Sequence, residues 1–523
     1  MVQVTDWQRA HVETGFYPPV TYLMIDDQHV EKLDRVQRIP GVPEKLPGQI
    51  ITPKHPWEGQ YVWAHNGLLY DEDEKLFKFW YHCNDPHFAA RYPELRWGDR
   101  PAYAISKDGQ HWHKPELGVV QWQDSKRNNL VDFPPYGGDG PLGSLFRNPD
   151  FKDRNRYLAM GMARFRTPRG QKPQYWYDGA GYQLRRKNKS DVPITCGFYV
   201  YHSPDGFKWK RRTRHGMSNT ICTDNMMAHG YDPQLRQWII WNQARTPDKF
   251  RTIGVSFTDD LNRIPFPQEI LTPDDEDPPG CQFNHMVAQK VPGGYVGLVV
   301  DFRPHEGCKK EPQLAFSRDA RSWTRPVGRA PFIPAGQRGQ WDEMNVFAHN
   351  PVQVGDDVFI MYHGSITGNG SFFPEHRGSR TSYTKITGGW GALLPDGRLN
   401  LPGIGMAKLK RDRWAAVTPA HRVGVVHTNR MYWANRKLII NADACGGAIR
   451  AELRDHHGKP VPGFTLADSD PFTGNKLSHQ MSWNGRRLLP KQMLGTAYTQ
   501  PSVGRLISIR FHLERTKLYS FSC

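Results

Sequence analysis

Seven cysteines in 523 residues, an odd number with no Cys-x-x-Cys spacing anywhere, exclude a disulfide framework and a structural zinc site. They are Cys83, Cys196, Cys222, Cys281, Cys308, Cys445 and Cys523, each isolated from the next. Long apolar runs are equally lacking, and nothing approaches the length of about twenty residues that a membrane-spanning helix needs. Met1 to Thr14 carries charges where a secretory leader would need an apolar stretch. The expectation is a cytoplasmic chain with no membrane partner, unless a leader has been removed. Helical periodicity is nearly absent throughout. With 38% hydrophobic and 23% charged residues, the chain reads as folded, with a polar surface.

One sign of charge is in excess. Lys and Arg number 69 against 52 Asp and Glu, a formal charge of +17 that favours anionic partners. The basic residues are dispersed, with short clusters only at Arg185-Arg186-Lys187 and around Lys208 to Arg212. No nucleic-acid-reading motif accompanies them, so nucleic acid is not expected as a partner.

The strongest positive signal is an internal repeat of an alternating strand, a polar turn and then usually a Trp. Its copies are Tyr103 to Trp112, Tyr199 to Trp209, Ile253 to Asn262, Leu314 to Trp323 and Ile404 to Trp414. The dipeptides Asp108-Gly109 and Asp205-Gly206 are hairpin signals, because glycine there tolerates positive φ. Before each copy sit two further strand-like runs: Tyr61 to Tyr70 with Leu76 to His82, Gly143 to Arg147 with Arg156 to Met162, Asn225 to Tyr231 with Gln237 to Asn242, Phe283 to Lys290 with Gly294 to Asp301, and Val346 to Val354 with Asp357 to His363. Five units of about four strands predict an all-β fold, a five-bladed β-propeller that hides its sheet edges by radial closure.

After Trp414 the pattern changes to strands at Leu438 to Ala442, Ala448 to Leu453 and Arg505 to Leu513, spaced as in a β-sandwich. The expected organisation is an N-terminal extension (1–46), a propeller (47–418) and a C-terminal β-sandwich (419–523). A Gly-, Tyr- and basic-rich insertion, Thr167 to Asp191, is expected as a long loop over one face.

This five-unit pattern, with its Ser-x-Asp-Gly-x-x-Trp hairpins and trailing sandwich, resembles the five-bladed propellers of the glycoside hydrolase 32 and 43 superfamily. The resemblance runs over roughly Pro47 to Cys523 and is architectural more than catalytic. Where family 32 has Asn-Asp-Pro-Asn-Gly, Arg-Asp-Pro and Glu-Cys motifs, this chain offers His55-Pro56-Trp57-Glu58 and Ala64-His65-Asn66-Gly67, then Arg147-Asn148-Pro149, then Thr223-Asp224-Asn225. Asn148 removes the carboxylate expected between Arg147 and Pro149.

The resemblance implies that ligand binds where the innermost strands begin. That selects Glu58, Trp63 and His65, Arg147 and Asn148, Asp224 and Asn225, Asn284 and His285, and Asp342, Glu343 and Asn345. Glycoside hydrolysis needs two carboxyl groups, one to protonate the leaving oxygen and one as base or nucleophile. The catalytic candidates are Glu58, Asp224, Asp342 and Glu343. Substrate-binding candidates are Trp63, His65, Arg147, Asn148, Asn225 and His285. Asp71 to Glu74 reads as a solvated hairpin turn. No metal or organic cofactor is expected. The expected function is a glycoside hydrolase acting on an oligo- or polysaccharide, with an anionic glycan suited to the charge. The alternatives are a non-catalytic carbohydrate-binding propeller and a lyase for acidic polysaccharides, in which Arg147 and His285 would neutralise a uronate carboxylate.

Overall fold

The computed structural model describes residues 19–91, 99–134, 143–166, 169–170, 194–212, 226–246, 250–367, 397–399, 401–433, 436–490 and 506–523. Five antiparallel sheets follow one another along the chain, and each begins with an inner strand. In the first, Val62–Trp63 and Leu68–Asp71 both pair with Leu76–Asn84, which pairs with Asp99–Ser106. The second runs outward from Ser144–Arg147 through Tyr157–Arg166 and Ile194–Ser203 to Lys210–Arg211. The third and fourth repeat this order from Met226–Asp232 and from Gln282–Val291. The fifth starts with Asn345–Ala348 and Val352–Val354, both on Asp357–Ser365, followed by Gly403–Lys410.

Alternation along each strand explains the ring. Tyr157 and Ala159 face the first sheet, in a core with Trp80, Tyr103, Tyr199 and Trp209. Leu158 and Met160, on the other face, pack with Trp238, Ile240 and Leu261 of the third sheet. Buried on both faces, such a sheet must have neighbours on both sides. A further core joins the third, fourth and fifth sheets, and another joins the fifth to the first through Phe77, Phe79, Phe359 and Met406. The ring is therefore closed, as expected of a five-bladed propeller.

The outer edge of the fifth blade departs from the repeat. Its outermost strand is Glu44–Lys45, from the N-terminal side of the chain, paired with Gly403–Lys410. With that position filled, the turn after Lys410 leads out of the propeller into Ala415–Pro419 of the C-terminal sheet. Residues 19–46 are thus no loose extension. Thr21–Leu23, Val30–Asp34 and Val36–Pro40 pair with Lys517–Ser522, Val423–Thr428 and Ala415–Pro419 of the C-terminal domain. That β-sandwich hydrogen-bonds as one ten-stranded sheet. The two strands expected at 438–442 and 448–453 are a single strand, Ile439–Arg454, with irregularities between Ile440 and Ala442 and between Ala444 and Ile449. Those breaks let it pair with Phe472–Gln480, Leu506–Glu514 and Lys517–Ser522 around one core.

Three repeat hairpins share one set of bonds. Ser106 Oγ and Ser203 Oγ accept from the N–H of Gly109 (2.9 Å) and Gly206 (2.8 Å), and Asp108, Asp205 and Asp319 each accept two backbone N–H groups. The Trp then folds back, so that Trp112, Trp209 and Trp323 donate to the carbonyls of Gly109, Gly206 and Ala320. Gly206 has φ of 81° and lies against the Trp80 indole of the preceding blade, 2.5 Å from where a Cβ would stand. Gly206→Ala should therefore cost about 3 kcal/mol in urea denaturation, from left-handed strain plus overpacking. Gly118→Ala, at φ 69° with open space around it, should cost only about 1 kcal/mol. Equal losses would show that the contact with Trp80 contributes nothing.

Candidate functional site at the propeller axis

Two blades interrupt their inner strands in the same way. Ala64-His65-Asn66-Gly67 separates the two inner segments of the first blade, and His349-Asn350-Pro351 separates those of the fifth. Gly67 packs so closely on the Trp80 carbonyl that a Cβ would lie 2.1 Å from its oxygen. Asn66 ties three blades together. Its N–H and carbonyl bond Gly143 and Leu145 of the second blade, and its Oδ1 accepts the N–H of Asn350 from the fifth. The inner strands of the third and fourth blades have register breaks at the corresponding places, between Ala228 and Gly230 and between Phe283 and His285. Bulges of this kind re-aim side chains near functional sites.

The result is a histidine-rich axis. Trp63 and Phe347 lie across their strand pairs from His82 and His363. His285 stacks on Phe347 at 3.7 Å between ring centroids, Phe347 on His363 at 4.4 Å, and Trp63 meets His65 at 4.5 Å. His65 and His349 are 6.2 Å apart and link the two halves. Two bonds cross between blades: Ala348 O accepts from His285 Nε2 (2.8 Å), and Ala64 O accepts from His363 Nδ1 (3.2 Å). A carbonyl can only accept, so these nitrogens carry the protons of neutral imidazoles. All five histidines are buried. Burial, reinforced by the charge of Lys310, pushes His285 and His363 down to about 3, and burial holds His65 and His349 far below the ordinary imidazole range.

Of the residues singled out in the sequence, Trp63, His65 and His285 converge here. Asn284 and Asn345 join them through Lys310, whose Nζ lies 3.4 Å from Asn284 Oδ1 and whose backbone bridges to Asn345. Glu343 lies two residues before the inner strand of the fifth blade, which Asn345 opens. It is half-buried, accepts the N–H of Gly339 and faces Arg398 at 3.3 Å. Asp224 and Asn225 lie outside the described residues.

Four candidates are placed differently from expectation. Glu58 is fully buried in the turn Pro56–Glu58, and its carboxylate accepts from the N–H groups of Lys54 and His55, from Tyr81 Oη (2.6 Å) and from Lys114 Nζ (2.5 Å). Every lone pair it could offer a substrate is engaged. Asp342 is likewise enclosed, with Lys45 Nζ at 2.8 Å and Tyr362 Oη at 3.1 Å, so it fastens the closing strand to the fifth blade. Arg147 and Asn148 stand at the far end of their inner strand, opposite the axis cluster, because Ser144 and not Arg147 opens it. There Arg147 pairs with Asp71, and Asn148 holds its turn through Asp153 and Asn155 O. Asp71 itself is buried rather than solvated. Burial pushes its carboxyl up, but Lys78, the Glu74 N–H and Arg147 outweigh this and hold it well below the usual carboxylate range.

The sequence reading missed His82, His349 and His363, although the repeated Ala-His-Asn at 64–66 and 348–350 was a visible signal. It also missed Asp301, a buried carboxyl that desolvation pushes up to about 6 despite Arg303 at 3.2 Å. Asp301 accepts from the Glu311 N–H and from Gln313, inside a network with Arg303 and Glu311. Among the described residues no cluster of three or more His, Cys, Asp or Glu side chains is arranged to hold a metal ion.

No family model matches the chain, and no curated protein is similar to it. Solved structures with some likeness in shape include a fructofuranosidase from Schwanniomyces occidentalis, with a TM-score of 0.41 at 10% identity over 92% of this chain and 97% of that one. Another belongs to work on the GH130 family of mannoside phosphorylases, with a TM-score of 0.37 at 13% identity over 63% and 92% of the two chains. A third is an N-acetylgalactosamine deacetylase from F. plautii, with a TM-score of 0.36 at 14% identity over 76% and 96%. The five sheets closed on an axis and the trailing sandwich are the five-bladed β-propeller and C-terminal β-sandwich to which the sequence repeat points.

Two predictions follow from the geometry of these charges. Glu58→Gln should lower stability by about 3 kcal/mol in urea denaturation, because it strands the Lys114 ammonium in a buried place. An unchanged midpoint would show that the pair is solvated. The neutral histidines set a pH dependence. Their unfolded forms take up protons below about 6.5 while the folded forms do not, so stability is intact above that pH and falls as pH drops towards 3. The slope is about 1.4 kcal/mol per pH unit for each such histidine. His285→Gln should flatten the fall in denaturation midpoint between pH 6 and pH 4, and an unaltered slope would contradict the assignment.

Proposed function

We propose that the chain is a glycoside hydrolase acting on an oligo- or polysaccharide at the axial end of the propeller. The observation that supports this reading is the convergence of Trp63, His65 and His285 with Asn284 and Asn345 from three blades: flat aromatic and neutral polar groups together, as sugar faces and hydroxyls require. Glu58 and Asp342 are enclosed by cations and hydroxyls, whereas Glu343 is half-buried with a single cation, Arg398, at 3.3 Å, so the carboxyl groups assigned to catalysis are Asp224 and Glu343. One would protonate the leaving oxygen, and the other would act as base or nucleophile. The net charge of +17 suits an anionic glycan.

A second reading, a non-catalytic glycan-binding propeller, is favoured by one observation: two of the four candidate carboxylates serve the fold. Products separate the readings. On a panel of neutral and acidic glycans the hydrolase should release saturated sugars, whereas unsaturated, ultraviolet-absorbing ends would indicate a lyase. Asp224→Asn and Glu343→Gln should each reduce turnover at least a hundredfold while the unfolding free energy stays within about 1 kcal/mol of wild type. Full activity in both variants would remove the catalytic assignment, and binding without any product would favour the binding module.

A further inference from the structure

A polar cleft lies at the seam between the fifth blade and the C-terminal domain. It has a volume of about 240 Å³ and takes Lys408, Lys410 and Asp357 from the blade, Glu44 from the closing strand, and Arg413, Lys517 and Tyr519 from the junction and the last strand. Four cations against two carboxylates leave two positive charges in excess.

The positive groups are not equally committed. Lys408 and Lys410 spend their charge on Asp357, at 2.9 and 2.6 Å. Arg413 is buried, and only neutral oxygens accept its hydrogen bonds, while the Asp443 carboxylate acts on it from beyond ion-pair distance. Its Nε donates to Asn441 Oδ1 (2.9 Å), and its Nη2 donates to Asn475 Oδ1 (2.6 Å) and, at 3.4 Å, to the carbonyls of Ala442 and Lys476. Tyr519 covers its face at 4.6 Å. Among the described residues no carboxylate lies within ion-pair distance of this guanidinium, and its Nη1 has no acceptor. Lys517, half-buried on the same cleft, has no acceptor either. A buried guanidinium whose hydrogen bonds go to neutral oxygens, with one nitrogen left over and the Lys517 ammonium on the same cleft, is an arrangement that recognises a tetrahedral oxyanion. Asp443, across the strand pair from Lys517, is the one carboxylate acting on Arg413 that such an anion must outcompete.

We propose that this seam is a binding site for a sulfate or phosphate group, free or as the ester of a sugar, held by Arg413 Nη1 and Lys517 Nζ. The site stands on its own residues and does not depend on the reading of the axis. Because the anion would bridge the blade junction and the last strand, binding would fasten the C-terminal domain to the ring.

Calorimetric titration of the full chain with sodium sulfate, at ionic strength held constant with sodium chloride, tests this directly. The expected result is one saturable site whose affinity falls at least tenfold in Lys517→Gln, with the melting temperature in chloride unchanged. Arg413→Lys should also weaken binding by at least tenfold, and Lys517→Gln serves should the buried substitution prevent folding. Glucose 6-sulfate binding more tightly than sulfate, with glucose inert, identifies an ester as the ligand. Equal affinities identify the free anion. No saturable binding, or binding that Lys517→Gln leaves unaltered, overturns the proposal.

Discussion

Closure of the ring by a strand from the wrong end of the chain is the constraint on which the rest depends. Glu44–Lys45 completes the fifth blade, whose other strands are supplied some three hundred residues later in sequence. The blade can finish only when both ends of the propeller meet. Lys45 reinforces this by reaching Asp342, which precedes the inner strand of the same blade. The three strands before Glu44 are built into the C-terminal domain, so ring and sandwich share a seam that neither could form alone. A five-membered ring, once closed, leaves a narrow axis, and the side chains turned towards it must fill it.

What fills it is unusual in its chemistry. Histidines normally sit at the surface or beside a carboxylate, yet here five are buried with one another and with Trp63 and Phe347. Low polarity keeps them neutral. As neutral groups they can bond across blades, and His285 to Ala348 and His363 to Ala64 are two such links. Glu58 and Asp71, by contrast, are paired with cations, Glu58 with Lys114 and Asp71 with Lys78. Buried pairs of this kind are costly to break and add little net stability when intact, so they specify geometry more than they strengthen it.

The blades were legible because their signal is local. Period-two alternation and the Ser-x-Asp-Gly-x-x-Trp turn recur in sequence, and the turn's hydrogen bonds form within seven residues. The exchange of Glu44–Lys45 into the last blade was not legible, since two residues carry no pattern of their own. Trp63, His65 and His285 could be chosen because inner-strand openings can be counted along the chain. Arg147 was misplaced by three residues, and in a four-residue strand that is the distance from one end of the strand to the other. Glu58 could not be distinguished from a catalytic carboxylate, because its partners Tyr81 and Lys114 lie 23 and 56 residues away.

The central claim is that ligand binds where the inner strands open. A crystal structure of the Glu343→Gln variant soaked with a glycan that the wild-type protein turns over or retains tests it most directly. The account predicts ordered sugar against Trp63 and within hydrogen-bonding reach of residue 343. Sugar bound only at the opposite end, beside Arg147 and Asp71, or only on the C-terminal domain, would contradict it.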